Sequence, residues 1–183
     1  VCLSIYLYLQ TFELIIMERI GIFYGTTLGN SRKIAHLIQK AFPSGTADVR
    51  DILNSNITDI ELYDNLIFGT STWSLGDMQD DWENFISQLT KISWIKKKVA
   101  LFGVGDQKAW PDSFVNGLGA LYHKLPDKTC VVGMTSTDGY QFDISLAIKN
   151  NQFVGLVIDN NNQPELTLPR IQAWVDQLQK EFI

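Results

Sequence analysis

Three segments of the chain combine small, hydroxyl-bearing and aromatic residues in a way that suits a ligand. The first is Gly25-Thr26-Thr27-Leu28-Gly29-Asn30-Ser31, running into a helical pattern that starts near Arg32. Hydroxyls and backbone N–H groups gathered at the positive end of a helix can hold a phosphate. The same residues also suit an ordinary turn in which Asn30 or Ser31 caps the helix, and the types alone fit both. It is not a P-loop, because the Gly-Lys-Ser/Thr ending is missing. The second segment is Thr70-Ser71-Thr72-Trp73-Ser74-Leu75-Gly76-Asp77, and the third is Gly103-Val104-Gly105-Asp106-Gln107-Lys108-Ala109-Trp110. Each places a Trp just beyond an apolar run. A ring of that size more often covers a core than a ligand, so that alternative stands for both. Two Trp and a phosphate-type loop at one edge would suit a planar ligand that carries a phosphate. Gly103-Val104-Gly105 lacks the third glycine and the ribose-binding acid of a dinucleotide fingerprint.

Such loops need a frame, and the hydrophobic pattern supplies one. Arg19 to Tyr24 is a short apolar run before the first loop; Asn65 to Gly69 precedes the second and Val99 to Gly103 the third. Ala47 to Ile52 is a weaker strand. Ile34, Leu37, Ile38, Ala41 and Phe42 share one helix face, which Pro43-Ser44-Gly45 ends. Trp82, Phe85, Ile86 and Leu89 form a second face, with Asp80 and Asp81 at its positive end. Phe114, Val115, Leu118, Leu121, Tyr122 and Leu125 form a third, announced by Pro111. Cys130 to Met134 opens the last strand, a polar stretch from Thr135 to Gln152 interrupts it, and Phe153 to Ile158 resumes the same strand position. Thr167 caps a closing helix with Ile171, Trp174, Val175, Leu178 and Phe182 on one face. Buried strands alternating with amphipathic helices predict one doubly wound α/β domain, its ligand lying beyond the C-terminal strand ends.

Composition narrows the function classes. With 183 residues, 45% hydrophobic and 19% charged, the chain can bury a core. Lys plus Arg total 15 against 20 for Asp plus Glu, a net charge of −5. That sign disfavours nucleic acid and anionic membranes as partners. Cys2 and Cys130 have no motif spacing, which excludes a disulfide scaffold and suits the cytoplasm. Val1 to Ile16 has neither the basic leader of a signal peptide nor the length of a membrane span. The expectation is that residues 1–16 are an upstream extension and that the domain occupies 17–183, from Met17 onward.

The motifs carry a family resemblance. Phe23-Tyr24-Gly25-Thr26-Thr27-Leu28-Gly29-Asn30-Ser31-Arg32-Lys33-Ile34-Ala35 resembles the phosphate loop and first helix of the flavodoxins. Thr70-Ser71-Thr72-Trp73-Ser74-Leu75-Gly76, followed by Gln79-Asp80-Asp81-Trp82, resembles their second flavin loop, and Phe102-Gly103-Val104-Gly105-Asp106-Gln107 their third. Ser136-Thr137-Asp138-Gly139-Tyr140 and Phe153-Val154-Gly155-Leu156 are similar to the insertion of the long-chain subclass. The resemblance implies a flavodoxin-like doubly wound five-stranded parallel sheet of order 2-1-3-4-5, with helices on both faces and the last strand split by the insertion. It implies FMN, with Thr26, Thr27, Gly29, Asn30 and Ser31 at the phosphate. Trp73 and Trp110 would stack on the ring, and the Ser74–Leu75 peptide would meet the N5 edge and stabilise the semiquinone. Gly105 and Asp106 would take the pyrimidine edge beside Val104, and Asn161 the ribityl chain. Thr70, Ser71, Thr72 and Gly76 complete the second loop. Leu28 stands where a hydroxyl is usual, which predicts one lost bond to phosphate; Trp110 stands where Tyr is usual, and Ser71 where Pro is common.

The implied activity is that of a monomeric, low-potential one-electron carrier, with no catalytic group of its own. Asp77, Asp80, Asp81, Asp106 and Asp112 oppose added negative charge. Two unit charges about 6 Å apart repel by roughly 3 kcal/mol at an effective dielectric of about 20. For one electron that is roughly 120 mV. Implied partners are redox proteins met in transient electrostatic complexes: ferredoxin–NADP reductase, photosystem I, nitrogenase reductase or pyruvate oxidoreductase. The alternatives are an FMN-dependent NAD(P)H:quinone reductase on the same fold and a binding module that has lost its cofactor. His36 and His123 have no ligand spacing, and Cys130 reads as a small core residue.

Overall fold

The computed structural model describes residues 19–73 and 77–183. The expected extension at 1–16 and the Ser74-Leu75-Gly76 segment lie outside the described residues. Strand β1, Ile20–Tyr24, is buried along its whole length and leads through the first loop into helix α1, Asn30–Ala41. Strand β2, Ala47–Asp51, then lies at the sheet edge and is only partly covered. A short helix α2, Ile57–Glu61, follows, started by a reciprocal capping box between Asn56 and Asp59. The third strand, β3, runs from Asn65 to Trp73 and pairs antiparallel with the two-residue β4, Asp77–Met78. Residues 70–73, expected as loop, therefore continue the strand.

Helix α3, Asp80–Phe85, is capped by Gln79, whose side chain accepts from the Asp81 N–H. Strand β5, Lys98–Val104, leads to the third loop, and helix α4 spans Asn116–Lys124. The periodicity had placed Phe114 and Val115 on that helix. Instead a 3-10 turn at Pro111–Ser113 ends and Val115 turns to φ +48°, so the helix starts at Asn116.

The core sheet is parallel and runs β2-β1-β3-β5-β10, where β10 is Leu156–Ile158. Counting core strands alone, this is the expected 2-1-3-4-5 order. The last position is split as expected: β6, Val131–Val132, pairs with Val99 and Ala100, and β10 pairs further along the same edge of β5. Between them β7 (Thr135–Ser136), β8 (Ile148–Lys149) and β9 (Gln152–Phe153) form a small antiparallel sheet. Phe153 belongs there and not to the core strand. Helix α5, Thr167–Glu181, closes the chain. Thr167 is not its cap; it sits inside the helix with its hydroxyl on Asn160 Oδ1 at 3.2 Å.

Strand alternation divides the core into two layers. Ile20, Ile22, Tyr24, Ile67, Ala100, Phe102 and Ile158 pack on α1 and α5, together with Trp174. Phe23, Leu66, Phe68, Val99 and Leu101 face Trp82 of α3 and Leu118 of α4. Each fully buried Ile, Leu or Phe contributes about 1.5–3 kcal/mol, and both faces are covered. All five C-terminal strand ends therefore open on one edge, where the three singled-out loops meet. No helix among the described residues is long and apolar enough to cross a membrane.

Candidate functional site

Loop 25–29 leaves β1 with the Gly25 N–H donating to the Gly69 carbonyl of β3 at 3.0 Å. It closes on itself where the Gly29 N–H donates to Thr26 Oγ1 at 3.0 Å. Gly29 stands at φ +86°, a left-handed conformation that costs a residue with a Cβ about 1–2 kcal/mol. From there α1 begins with no side-chain cap and no acid in its first turn. The first N–H groups of a helix have no intrahelical partner. Neither Asn30 nor Ser31 caps it, so the expected cap is absent, although the loop does close as a turn. Ser31 is completely buried, and its hydroxyl is the one fully buried side-chain polar atom among the described residues without a hydrogen-bond partner. A buried hydroxyl left so costs about 1–3 kcal/mol. Open amides, an orphaned hydroxyl and the positive helix end together suit an anion.

That loop forms one end of a cleft of about 440 Å³, within the usual size of small-molecule sites of about 300–1,000 Å³. Of the residues singled out in the sequence, Thr26, Leu28, Asn30, Ser71, Thr72, Trp73, Val104, Gly105, Asp106, Trp110 and Asn161 all line it. Thr27, Gly29, Ser31 and Thr70 do not. Thr27 is exposed beside Gln79, and Thr70 is buried with its hydroxyl on the Ser71 carbonyl. Leu28 is 79% exposed at the mouth.

Trp73 is half-buried, its indole N–H donating to Ser71 Oγ at 3.2 Å. Trp110 is 55% exposed on the opposite loop. Core coverage, the alternative for a large ring, falls instead to Trp82 and Trp174. The Thr72 hydroxyl accepts from the Gly117 N–H at 3.0 Å and so joins β3 to the start of α4.

The far wall is knitted together by carboxylates. Asp106 Oδ1 accepts from the Lys108 and Ala109 N–H groups and from Asn162 Nδ2 at 2.7 Å, while Oδ2 accepts from Asn161 Nδ2 at 2.8 Å. Burial pushes this carboxyl up, but the hydrogen bonds from Ala109, Asn161, Asn162 and Lys108 outweigh it and hold it below the usual carboxylate value. Buried Asp159 accepts from the Gln107 and Asn162 N–H groups, both at 3.0 Å. The Asn161 side chain thus gives one of its N–H groups to Asp106.

Lys33, Ile34, Ser113, Phe114, Val115 and Asn160 also line the cleft and were not singled out. Lys33 is the lining cation, three residues beyond Asn30 on α1, so the helical period gave a signal for it. Phe114 and Val115 carried none, because their pattern read as a helix face. The described residues hold no cluster of acids, Cys and His able to bind a metal.

A family model described as Flavodoxin matches residues 22–174. The flavodoxin of Synechococcus elongatus is 44% identical over 168 residues, covering 91% of this chain and 99% of that one. The flavodoxin of Synechocystis is 46% identical over 166 residues, with 88% and 96% covered. The crystal structure of Fusobacterium nucleatum flavodoxin bound to flavin mononucleotide superposes with a TM-score of 0.85 at 36% identity, covering 91% of this chain and all of that one.

Proposed function

The chain belongs to the flavodoxin family, and from that premise we propose that it is a low-potential one-electron carrier, not an enzyme, with FMN held non-covalently in the cleft. One observation supports the reading: the uncapped start of α1 brings Asn30, with the orphaned Ser31 hydroxyl buried directly behind it, to a cleft that Trp73 and Trp110 also line. FMN fits that arrangement, since it joins a phosphate to a flat ring, and when bound it supplies reversible electron uptake. Thr26, Thr27, Gly29, Asn30 and Ser31 hold the phosphate, with the Lys33 ammonium adding charge attraction. Trp73 and Trp110 exclude water from the two ring faces. Val104, Gly105 and Asp106 line the pyrimidine side, and the Ser74–Leu75 peptide is assigned the N5 edge. Asn161, which lines the cleft and donates to Asp106, is assigned the ribityl chain.

The carboxylates of Asp77, Asp80, Asp81, Asp106 and Asp112 make added negative charge at the ring costly, which lowers the potential. The same charges draw in basic partners for brief contact. Proteins of the ferredoxin–NADP reductase, photosystem I, nitrogenase reductase and pyruvate oxidoreductase types fit that chemistry. The test is a visible spectrum of the protein with FMN during stepwise dithionite reduction. A long-wavelength band at half reduction is the expected result. Passage straight to the fully reduced spectrum, with rapid NAD(P)H:quinone turnover, would make it a two-electron reductase instead. Failure to bind FMN would overturn both.

A further inference from the structure

Trp110, Ser113, Phe114 and Val115 form one wall of the cleft, and the segment that carries them adopts a shape its own sequence does not favour. Val115 stands at φ +48° although it is β-branched, a conformation that side chains of that kind rarely take. It is buried, lines the cleft, and its Cγ1 occupies the space that a Cβ at Gly105 of the third loop would need. Such an outlier persists only where the surroundings over-determine it.

The surroundings here are one turn of the insertion. The Asp143 and Ile144 N–H groups both donate to the Pro111 carbonyl, at 3.0 and 3.1 Å. The Ser145 hydroxyl donates to the Phe114 carbonyl at 2.6 Å, and the Leu146 N–H donates to Asn116 Oδ1 at 2.7 Å. Four hydrogen bonds from four consecutive residues thus grip the wall on both sides of Val115. On the inner side the wall is fixed by the Gly117 N–H on Thr72, and no Cβ would fit at Gly117 against the Ser71 carbonyl. Trp110 is tied in as well: its N–H donates to the Asp106 carbonyl, and its carbonyl accepts from the Ser113 N–H.

We infer that the turn at residues 143–146 is a brace that holds Val115 in its left-handed conformation and so sets the wall a bound flavin meets, with Ser145 and Asn116 as positioning residues. This rests on the proposed FMN site, but the brace also has a signature without FMN. Neither residue lines the cleft, so any effect on the flavin passes through the wall.

The experiment is a double-mutant cycle of Ser145→Ala and Val115→Gly. It is read by amide hydrogen exchange in FMN-free protein and by FMN titration. Glycine accepts positive φ without strain, so it removes the need for the brace. With Val115 present, Ser145→Ala is expected to speed exchange at 114–117 about tenfold and to weaken FMN binding by a similar factor, the worth of one hydrogen bond. Exchange in β1 stays unchanged, which separates this from general loosening. In the Val115→Gly background both effects shrink below about twofold. Ser145→Thr, which keeps the hydroxyl, restores the parent values, and Asn116→Ala repeats the loss. Equal factors in both backgrounds, unchanged exchange at 114–117, or faster exchange with unaltered FMN affinity would each overturn the brace. If the parent protein binds no FMN, the carrier reading falls, and the exchange measurements alone decide whether the brace stands.

Discussion

At the phosphate end of the cleft, Ser31 Oγ is buried without a partner and α1 starts uncapped. At the ring end, both oxygens of Asp106 are taken, and Asp159 accepts from two backbone N–H groups and from Asn162 Nδ2 at 3.0 and 2.9 Å. The first region keeps a buried polar atom and a helix start without partners. The second is finished before any ligand comes. For the proposed FMN site the difference teaches where binding free energy would enter: the α1 end by relieving unmet hydrogen bonds, the Asp106 end by offering a preformed shape.

The contrast breaks most readily at Ser31. Ser31→Ala is expected to weaken FMN by about 1.5–3 kcal/mol, roughly tenfold to a hundredfold, as for a hydrogen bond to a charged group. Meanwhile the urea midpoint of FMN-free protein holds or rises, because a buried orphan has been removed. A fall in FMN-free stability would show that the hydroxyl already has a partner, and the contrast would be lost. Asp106→Ala tests the other side. It should destabilise FMN-free protein by about 1–3 kcal/mol in urea unfolding, with a smaller loss of FMN affinity than at Ser31. Gly29→Ala should cost about 1–2 kcal/mol in the same measurement, since only the positive φ resists the methyl group and the space beyond is open.

The smallest effect is a pH slope. The Tyr140 hydroxyl donates to the Val157 carbonyl at 2.6 Å, and burial pushes its pKa up to about 12; nearby Arg170 lowers it in part and Asp159 raises it. An unfolded tyrosine titrates near 10. Between those values the folded chain keeps a proton that the unfolded chain has released. The contribution is therefore whole below about pH 10 and is lost as pH rises towards 12. Tyr140→Phe should flatten that part of the stability curve in urea unfolding at stepped pH. An unchanged slope would place the titration elsewhere.

Strand positions and loop order were legible in the sequence because burial on both faces writes continuous apolar runs, and because Gly, Thr, Asn and Ser cluster where β1 meets α1. The start of α4 was not. Phe114, Val115 and Leu118 keep helical spacing across the break, and spacing records side-chain faces, not the sign of φ. Thr167 has the type of a cap, but its hydroxyl goes to Asn160. The brace left no trace in the sequence, since it grips the Pro111 and Phe114 carbonyls, and every residue has a carbonyl. Leu28, expected to forfeit a phosphate bond, projects into solvent at the cleft mouth.

The split of the final strand has one more consequence. Val132 lies opposite Ala100 and Leu156 opposite Phe102, so on β5 only Leu101 separates the point where the insertion leaves the sheet from the point where it returns. Residues 133–155 are thus a cassette on a fixed scaffold. A lineage can lengthen, shorten or rewrite the cassette while the ladder beneath it keeps its register. Mutation can then alter the wall of the cleft on a timescale separate from that of the sheet.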